Sequence, residues 1–453
     1  DMNVTFDKTS DVTGKIIVNV EPADYTETVK KELKKIAATH VIPGFRKGHV
    51  PMDQLRRRFG KQVKSDVIND VVYREVVKYI QENKLDILGQ PLPLDVKELT
   101  DADEAYTFSY EVGLAPKLNL EINKDITFPY YTIEVSDEMR AEQDKMMRER
   151  LGSQQPGEEF EDKALVKGVM MELNADGTVN ETENAIQVLN AIVGPTFFKN
   201  ADETAKFQGC KVGDKVVFNP FNSCNGNEAE LASMLNMDKA VAANVKSDFE
   251  FAVSEIIVLR PAEHTQEFFD QVFGADKVHN EEEYTAELTK MIAHALEGNS
   301  NSLFAADVRK NLLERCANAA IPVEFLKKWL ISRNEGLNAE NIDEEFEKMR
   351  EGLLWQIIKG QLMEQLGVKV TEEAVLANAK SIAYNQFAQY GMTNLGDDVI
   401  TEHAKRILAN EEYREQIVEN VAENLLYDAI RNASTIDSQA VSLDRFKEIA
   451  QAQ

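Results

Sequence analysis

The residue that most constrains this chain is the one it stops using. Of its 12 prolines only Pro261 and Pro322 follow Pro220, and none occurs from Val323 to Gln453. Proline removes a helix hydrogen bond and clashes with the preceding turn, so a long run without it is free to be helical throughout. The hydrophobic period agrees. In "EEFEKMREGLLWQIIKGQLMEQLGV" the residues Phe346, Met349, Leu353, Leu354, Ile357, Leu362 and Leu366 follow i, i+3, i+4 spacing, and Glu411 to Ile430 carries the same wide apolar stripe. Residues 261–453 are therefore expected to form an all-α region.

The chain changes character upstream. "LVKGVMMEL", "AIQVLNAIV", "KVGDKVVFNP" and "DFEFAVSEIIVL" are strand-like and separated by Gly, Asn and Asp, so 161–260 reads as a β-rich domain. Residues 116–160 read as a linker with one extended piece, "ITFPYYTIEV", a charged helix from Ser136 to about Leu151, and a hinge at "GSQQPGEEFED". In 1–115 the spacing predicts a strand over Lys15–Val20, a helix from Pro22 to near His40 and a second helix from Pro51 toward Glu82. Tyr106, Phe108, Tyr110 and Val112 then alternate as a strand does. The expected architecture is thus α+β and multidomain, which suits 453 residues, too many for one core.

Several function classes lose support at this level. No run approaches the roughly 18 apolar residues of a membrane span, and no apolar segment follows the start, so no membrane partner is expected. Three cysteines (Cys210, Cys224, Cys316) without ligand spacing fit a reducing compartment, and a cytoplasmic location is expected. The six histidines show no metal-ligand spacing, and phosphate-loop, dinucleotide and nucleophile-elbow motifs are missing. No cofactor and no metal are expected.

Charge is unevenly spread. The net charge is -27, yet Asp1 to Ala115 carries 17 Lys+Arg against 19 Asp+Glu, which leaves -25 for the remainder. Within Thr28 to Lys64 there are 11 basic and two acidic residues. Such an island attracts a polyanion while the rest of the chain is held off, although a charge run is also compatible with a solvated helix face. At its centre lies "VIPGFRKGHVPMDQLRRRFG", residues 41–60. Gly44 and Gly48 permit positive φ, Pro43 and Pro51 punctuate the two helices, and Phe45 is a natural interface anchor. Arg46 can pair bidentately with a carboxylate or phosphate, Lys47 adds a point charge, and Arg56, Arg57, Arg58, Lys61 and Lys64 would add salt-sensitive attraction. The alternative is a helix–helix turn whose Phe45 tucks into its own core.

"GFRKGHVP" resembles the ribosome-docking signature of bacterial trigger factors, G-F-R-x-G-x-x-P, and matches it at Gly44, Phe45, Arg46, Gly48 and Pro51. The resemblance extends in order over a docking domain, a linker, an FKBP-like domain and a helical arm region. It implies an ATP-independent chaperone that binds a ribosomal protein beside the nascent-chain exit and nearby ribosomal RNA, shields unfolded nascent polypeptides, and can form a homodimer off the ribosome. Met-rich and aromatic helices such as "SIAYNQFAQYGM" suit such a surface, since Met adapts to many shapes. The alternative function is prolyl cis-trans isomerisation by the FKBP-like domain, which needs an aromatic pocket around the X-Pro bond. Here "LVKGVMMEL" lacks an aromatic, and "VGPTFFKN" is a distorted form of the family's Pro-Gly-aromatic segment. Phe197, Phe198 and Phe221 are the candidates for a surviving pocket, with no catalytic acid or base expected.

Overall fold

The computed structural model describes residues 2–95 and 98–453. The chain divides into two compact units, one made of Asp1–Tyr131, Asn301–Gln439 and Ile449–Gln453, the other of Thr132–Ser300 and Ala440–Glu448.

The first unit opens with β1 (Asn3–Lys8), β2 (Thr13–Val20), α1 (Pro22–Thr39), α2 (Met52–Glu82), β3 (Ile87–Pro93) and β4 (Tyr106–Leu114). Pro22 begins α1, and the Asp24 carboxylate accepts the Glu21 N–H at 2.9 Å, satisfying a donor that the first turn leaves open. The strands form an antiparallel sheet in the order β1-β2-β4-β3. Ile16, Val18 and Val20 of β2 point inward against Tyr25 and Leu33 of α1 and Ile68, Val72 and Val76 of α2. The sequence reading finds β2, both helices and β4, and it misses the flanking strands. β3 escapes it because Pro91 and Pro93 suppress the strand signal, and such residues are tolerated at a sheet edge.

The same unit holds the start of β5 (Thr127–Ile133), which the sequence places in an extended piece. The second unit continues with α3 (Asp137–Arg150), β6 (Ser153–Gly157), β7 (Leu165–Glu172), β8 (Gln187–Val193), α4 (Ala201–Ala205), β9 (Lys215–Phe218), α5 (Pro220–Ser223), α6 (Glu228–Leu235), α7 (Lys239–Ala242) and β10 (Phe249–Arg260). Its sheet runs β6-β10-β7-β8, with β9 also paired to β10. The hinge expected at 152–162 is corrected here: Ser153 to Gly157 pair with Arg260 to Ile256. Its Gly and Pro are those of an edge strand rather than of a flexible joint.

The helical part comprises α8 (Gln266–Phe273), α9 (Glu281–Arg315), α10 (Val323–Arg333), α11 (Ile342–Gln365), α12 (Glu372–Gln389), α13 (Asp397–Ala409), α14 (Glu411–Ala433) and α15 (Leu443–Gln451). One element departs from the all-α expectation. Residues Thr435–Val441 form β11, paired with β5. Ser434 ends α14 in an extended conformation, and the β5 backbone supplies partners that water would otherwise provide. In the first unit α9, α11 and α14 enclose a core of Phe304, Val308, Leu312, Trp355, Ile358 and Leu426. Helix α10 lies on β3 and β4. The Trp329 ring rests on Gly89 and the Phe325 ring on Gly113, so close that a Cβ would stand 2.8 Å and 2.5 Å from ring carbons.

Candidate functional site

The segment 40–51 joins α1 to α2 as a loop ordered by its own backbone. His40 N–H donates to the Ile36 carbonyl at 2.9 Å, Phe45 N–H to Ile42 at 3.1 Å and Gly48 N–H to Ala37 at 2.8 Å. Gly44 and Gly48 have φ of +91° and +81°, and a Cβ on either would meet nothing within 4 Å. Glycine is therefore required there by conformation, not by space. Ile42 is buried and pins the loop to the core, whereas Arg46, Lys47 and Pro51 are exposed.

Phe45 is half-buried against that core, with the Arg58 guanidinium 5.9 Å from its ring centroid. A cation held over an aromatic face steadies both groups while leaving the ring edge open to a partner. Arg56, Arg57 and Arg58 are exposed and line a groove of about 460 Å³ together with Val29, Leu33 and Lys61 of α1 and α2 and with Asp101 and Asp103 of the loop before β4. Among the described residues no carboxylate pairs with Arg46, Lys47, Arg56, Arg57 or Lys61, while Lys30 and Lys35 are engaged by Glu27 and Glu32. The structure thus brings together a turn, a partly sheltered aromatic ring and a set of exposed cations outside any ion pair among the described residues.

Lys64 leaves this set. It is 6% exposed, donates to the carbonyls of Thr100 at 3.0 Å and Ala102 at 2.6 Å, and sits about 5 Å from the rings of Tyr25 and Tyr106. It acts as an internal tie between α2 and the loop before β4. Its position one stripe over from Val63 and Val67 on α2 is the sequence signal that the charge count overlooks.

In the second unit the three phenylalanine candidates part company. Phe198 stacks flat on Phe218 at 5.9 Å and meets Phe207 edge-on at 5.9 Å. Phe207 and Phe218 are fully buried with Phe251, and Phe198, itself partly buried, packs against this aromatic cluster. Phe197 faces solvent and is 68% exposed. Phe221 is half-buried beneath Lys246, whose ammonium lies 5.4 Å from its centroid.

Comparison with known proteins decides the family. Three family descriptions match in order: "Bacterial trigger factor protein (TF)" over residues 2–147, "Probable trigger factor, FKBP-like domain" over 154–261 and "Probable trigger factor, C-terminal domain" over 300–450. The chain belongs to the trigger factor family. Trigger factors are ribosome-associated chaperones, and the N-terminal match is their ribosome-binding part. Among curated relatives, the trigger factor of Streptomyces avermitilis is 24% identical over 400 residues, covering 87% of this chain and 80% of that one. The Streptomyces coelicolor trigger factor is 23% identical over 400 residues, covering 87% and 79%. A solved structure of the trigger factor chaperone, from work on promiscuous substrate recognition in folding and assembly, has a TM-score of 0.51 at 15% identity. It covers 95% of this chain and 100% of its own. At that identity the likeness shows the trigger factor fold.

Proposed function

We propose that this trigger factor docks on the ribosome through the loop Gly44 to Pro51, at a ribosomal protein beside the nascent-chain exit and the ribosomal RNA next to it. Phe45 is the anchor, Arg46 and Lys47 orient it, and Arg56, Arg57 and Arg58 add attraction to phosphates. The carrying observation is the juxtaposition, on one ordered turn and the helix start after it, of a half-buried ring with exposed cations that form no ion pair among the described residues. In this reading the domains are 1–115 for docking, 116–160 as a linker whose last strand, β6, joins the next domain's sheet, 161–260 as the FKBP-like domain and 261–453 as the helical client-holding region. The chain works in the cytoplasm on unfolded nascent polypeptides and can pair with a second copy when off the ribosome.

Chaperoning rather than prolyl isomerisation is the main activity in this reading. An isomerase pocket needs aromatic walls around an empty space, and here Phe198 spends its face on Phe218. Co-sedimentation with 70S ribosomes tests the docking reading. The Phe45→Ala/Arg46→Ala/Lys47→Ala variant is expected to stay in the supernatant while the parent chain pellets. Equal pelleting overturns it.

A further inference from the structure

We infer that the groove beside the docking loop takes one unstacked ribonucleotide, its phosphate on the cations of α2 and its ribose hydroxyls on Asp101 and Asp103. This rests on the docking reading above and adds to it a ligand class and a reason for preferring RNA to DNA.

Three elements line the groove, each with its own chemistry. Helix α2 supplies cations, Arg56, Arg57 and Lys61 among them, and α1 supplies the apolar Val29 and Leu33. The loop before β4 supplies the carboxylates of Asp101 and Asp103. At about 460 Å³ the groove falls in the range of about 300–1,000 Å³ that small-ligand sites occupy. It has room for a single nucleotide rather than for a helix.

Carboxylates and guanidinium groups in one groove would ordinarily pair. Here they do not. Among the described residues Asp101 has neither an ion pair nor a side-chain hydrogen bond, and Asp103 meets only the Lys64 ammonium, at 4.0 Å. The loop that carries them is tied down through its backbone. Lys64 donates to the carbonyls of Thr100 and Ala102, the Thr100 N–H donates to the Tyr106 hydroxyl at 3.2 Å, and the Tyr25 hydroxyl donates to the Glu104 carbonyl at 3.0 Å. These ties leave the carboxylates of Asp101 and Asp103 exposed as acceptors.

A groove for phosphate alone gains nothing from carboxylates, because they repel the ligand. They gain a use when the ligand carries hydroxyl donors next to its phosphate. A ribonucleotide does, and a carboxylate that accepts from the ribose 2′-hydroxyl is an established way of holding that sugar. The same hydroxyl is what distinguishes RNA from DNA at a given site. Val29 and Leu33 offer the base an apolar surface. RNA presents such nucleotides at loops and bulges, where bases are unstacked. A protein segment is the poorer occupant, since a basic one meets the arginines and an acidic one meets the aspartates.

The test titrates the full-length chain into fluorescein-labelled oligo(A) and oligo(dA) of about ten nucleotides at about 50 mM salt, read by anisotropy. The parent chain is expected to bind the RNA about tenfold more tightly, as one charge-assisted hydrogen bond implies. Asp101→Ala/Asp103→Ala is expected to bind both alike, and to bind the DNA more tightly than the parent does, because the repulsion leaves with the hydroxyl partners. Asp101→Ala alone, which removes no contact among the described residues, is expected to move both values the same way and serves if the double variant melts early. Arg57→Ala is expected to weaken both oligonucleotides by one factor. Displacement of oligo(A) by AMP supports the site with a free nucleotide as a source, and binding that AMP leaves untouched supports it with RNA as the source. Equal affinity of the parent for RNA and DNA, or a preference that survives Asp101→Ala/Asp103→Ala, overturns the inference. So does a chain that binds neither oligonucleotide. In each of these cases the docking reading stands or falls separately, on whether ribosome pelleting needs Phe45, Arg46 and Lys47.

Discussion

Gln361 clasps Pro116. Its side-chain amide donates to the Pro116 carbonyl at 2.7 Å, and its carbonyl oxygen accepts the Leu118 N–H at 3.1 Å. One helical turn on, Gln365 repeats the arrangement, donating to Leu120 at 2.9 Å and accepting from Ile122 at 3.0 Å. Two glutamines at i, i+4 on α11 thus stand in for a neighbouring β-strand and hold the segment leaving β4. Gln361→Ala leaves a backbone donor and acceptor unpartnered beside the core, at an expected cost of about 1–3 kcal/mol. Gln365 is exposed, so water replaces its bonds and Gln365→Ala is expected to cost less. Urea unfolding of the two variants checks the order, and equal midpoints would remove the clasp from the account.

The seat of Trp329 on Gly89 gives a second expectation. Gly89 has φ +68°, and its missing Cβ makes room for the indole. Gly89→Ala therefore meets both a backbone penalty and a steric one, together about 2–4 kcal/mol. Gly48→Ala, at φ +81° in open space, meets the backbone penalty alone, about 1–2 kcal/mol. Thermal melts should rank Gly89→Ala well below Gly48→Ala. The reverse order would mean that the indole moves aside freely.

These two relationships show what was legible in the sequence. Helix α11 and the loop glycines could be read directly, because period and turn chemistry act on neighbours in the chain. That Gln361 reaches Pro116, or that Trp329 chooses Gly89, depends on partners more than 200 residues away, which no local pattern encodes. Lys64 illustrates the cost. Charge counting places it with Lys61, yet three residues further round α2 it lies in the core. The hinge assigned to 152–162 fails for a related reason, since Pro156 marks an edge strand only once β10 is known to lie beside it.

Asp307 on α9 provides a pH dependence. Burial pushes its carboxyl up from the ordinary value, with Gln453 and Lys310 opposing, and its Oδ2 has no hydrogen-bond partner. A carboxyl raised in the folded state binds its proton more tightly there than in the unfolded chain. Its contribution is most favourable below the unfolded value of about 4 and is lost as pH rises through the folded one. Asp307→Asn is therefore expected to raise the melting temperature at pH 7.5 and to change it little near pH 4. A variant that melts lower than the parent at pH 7.5 would contradict this.

His264 ties three helices of the second unit. Its Nε2 lies 2.7 Å from Asp144 on α3, and its Nδ1 lies 2.7 Å from Glu281 on α9. Tyr284 donates to the same Asp144 oxygen at 2.5 Å, and the ring of His264 packs on Phe268 of α8 at 5.3 Å. Asp144 serves two donors while Glu281 is mostly exposed and serves one. Asp144→Ala is expected to cost about 2–4 kcal/mol and Glu281→Ala less than about 1 kcal/mol. Denaturant titration followed by hydrogen exchange in α3 compares them, and similar losses would deny Asp144 its central place.

Salt dependence separates the cations of α2 into two kinds. Each cation that meets a phosphate releases counterions, so its removal lowers the slope of log K against log salt by about 1. Arg57 and Lys61 are exposed and, among the described residues, in no ion pair, so Arg57→Ala and Lys61→Ala should flatten the salt dependence of ribosome binding and leave folding stability within about 0.5 kcal/mol. Lys64 is enclosed by Tyr25, Tyr106 and two carbonyls, so Lys64→Ala should do the opposite. It strands the carbonyls of Thr100 and Ala102, costs about 2–3 kcal/mol of stability, and leaves the slope where it was. Ribosome titrations at several salt concentrations, paired with melts of the free protein, give both readouts. If Lys64→Ala flattened the slope as Arg57→Ala does, the buried lysine would have to emerge on the ribosome, and its assignment as an internal tie would fail.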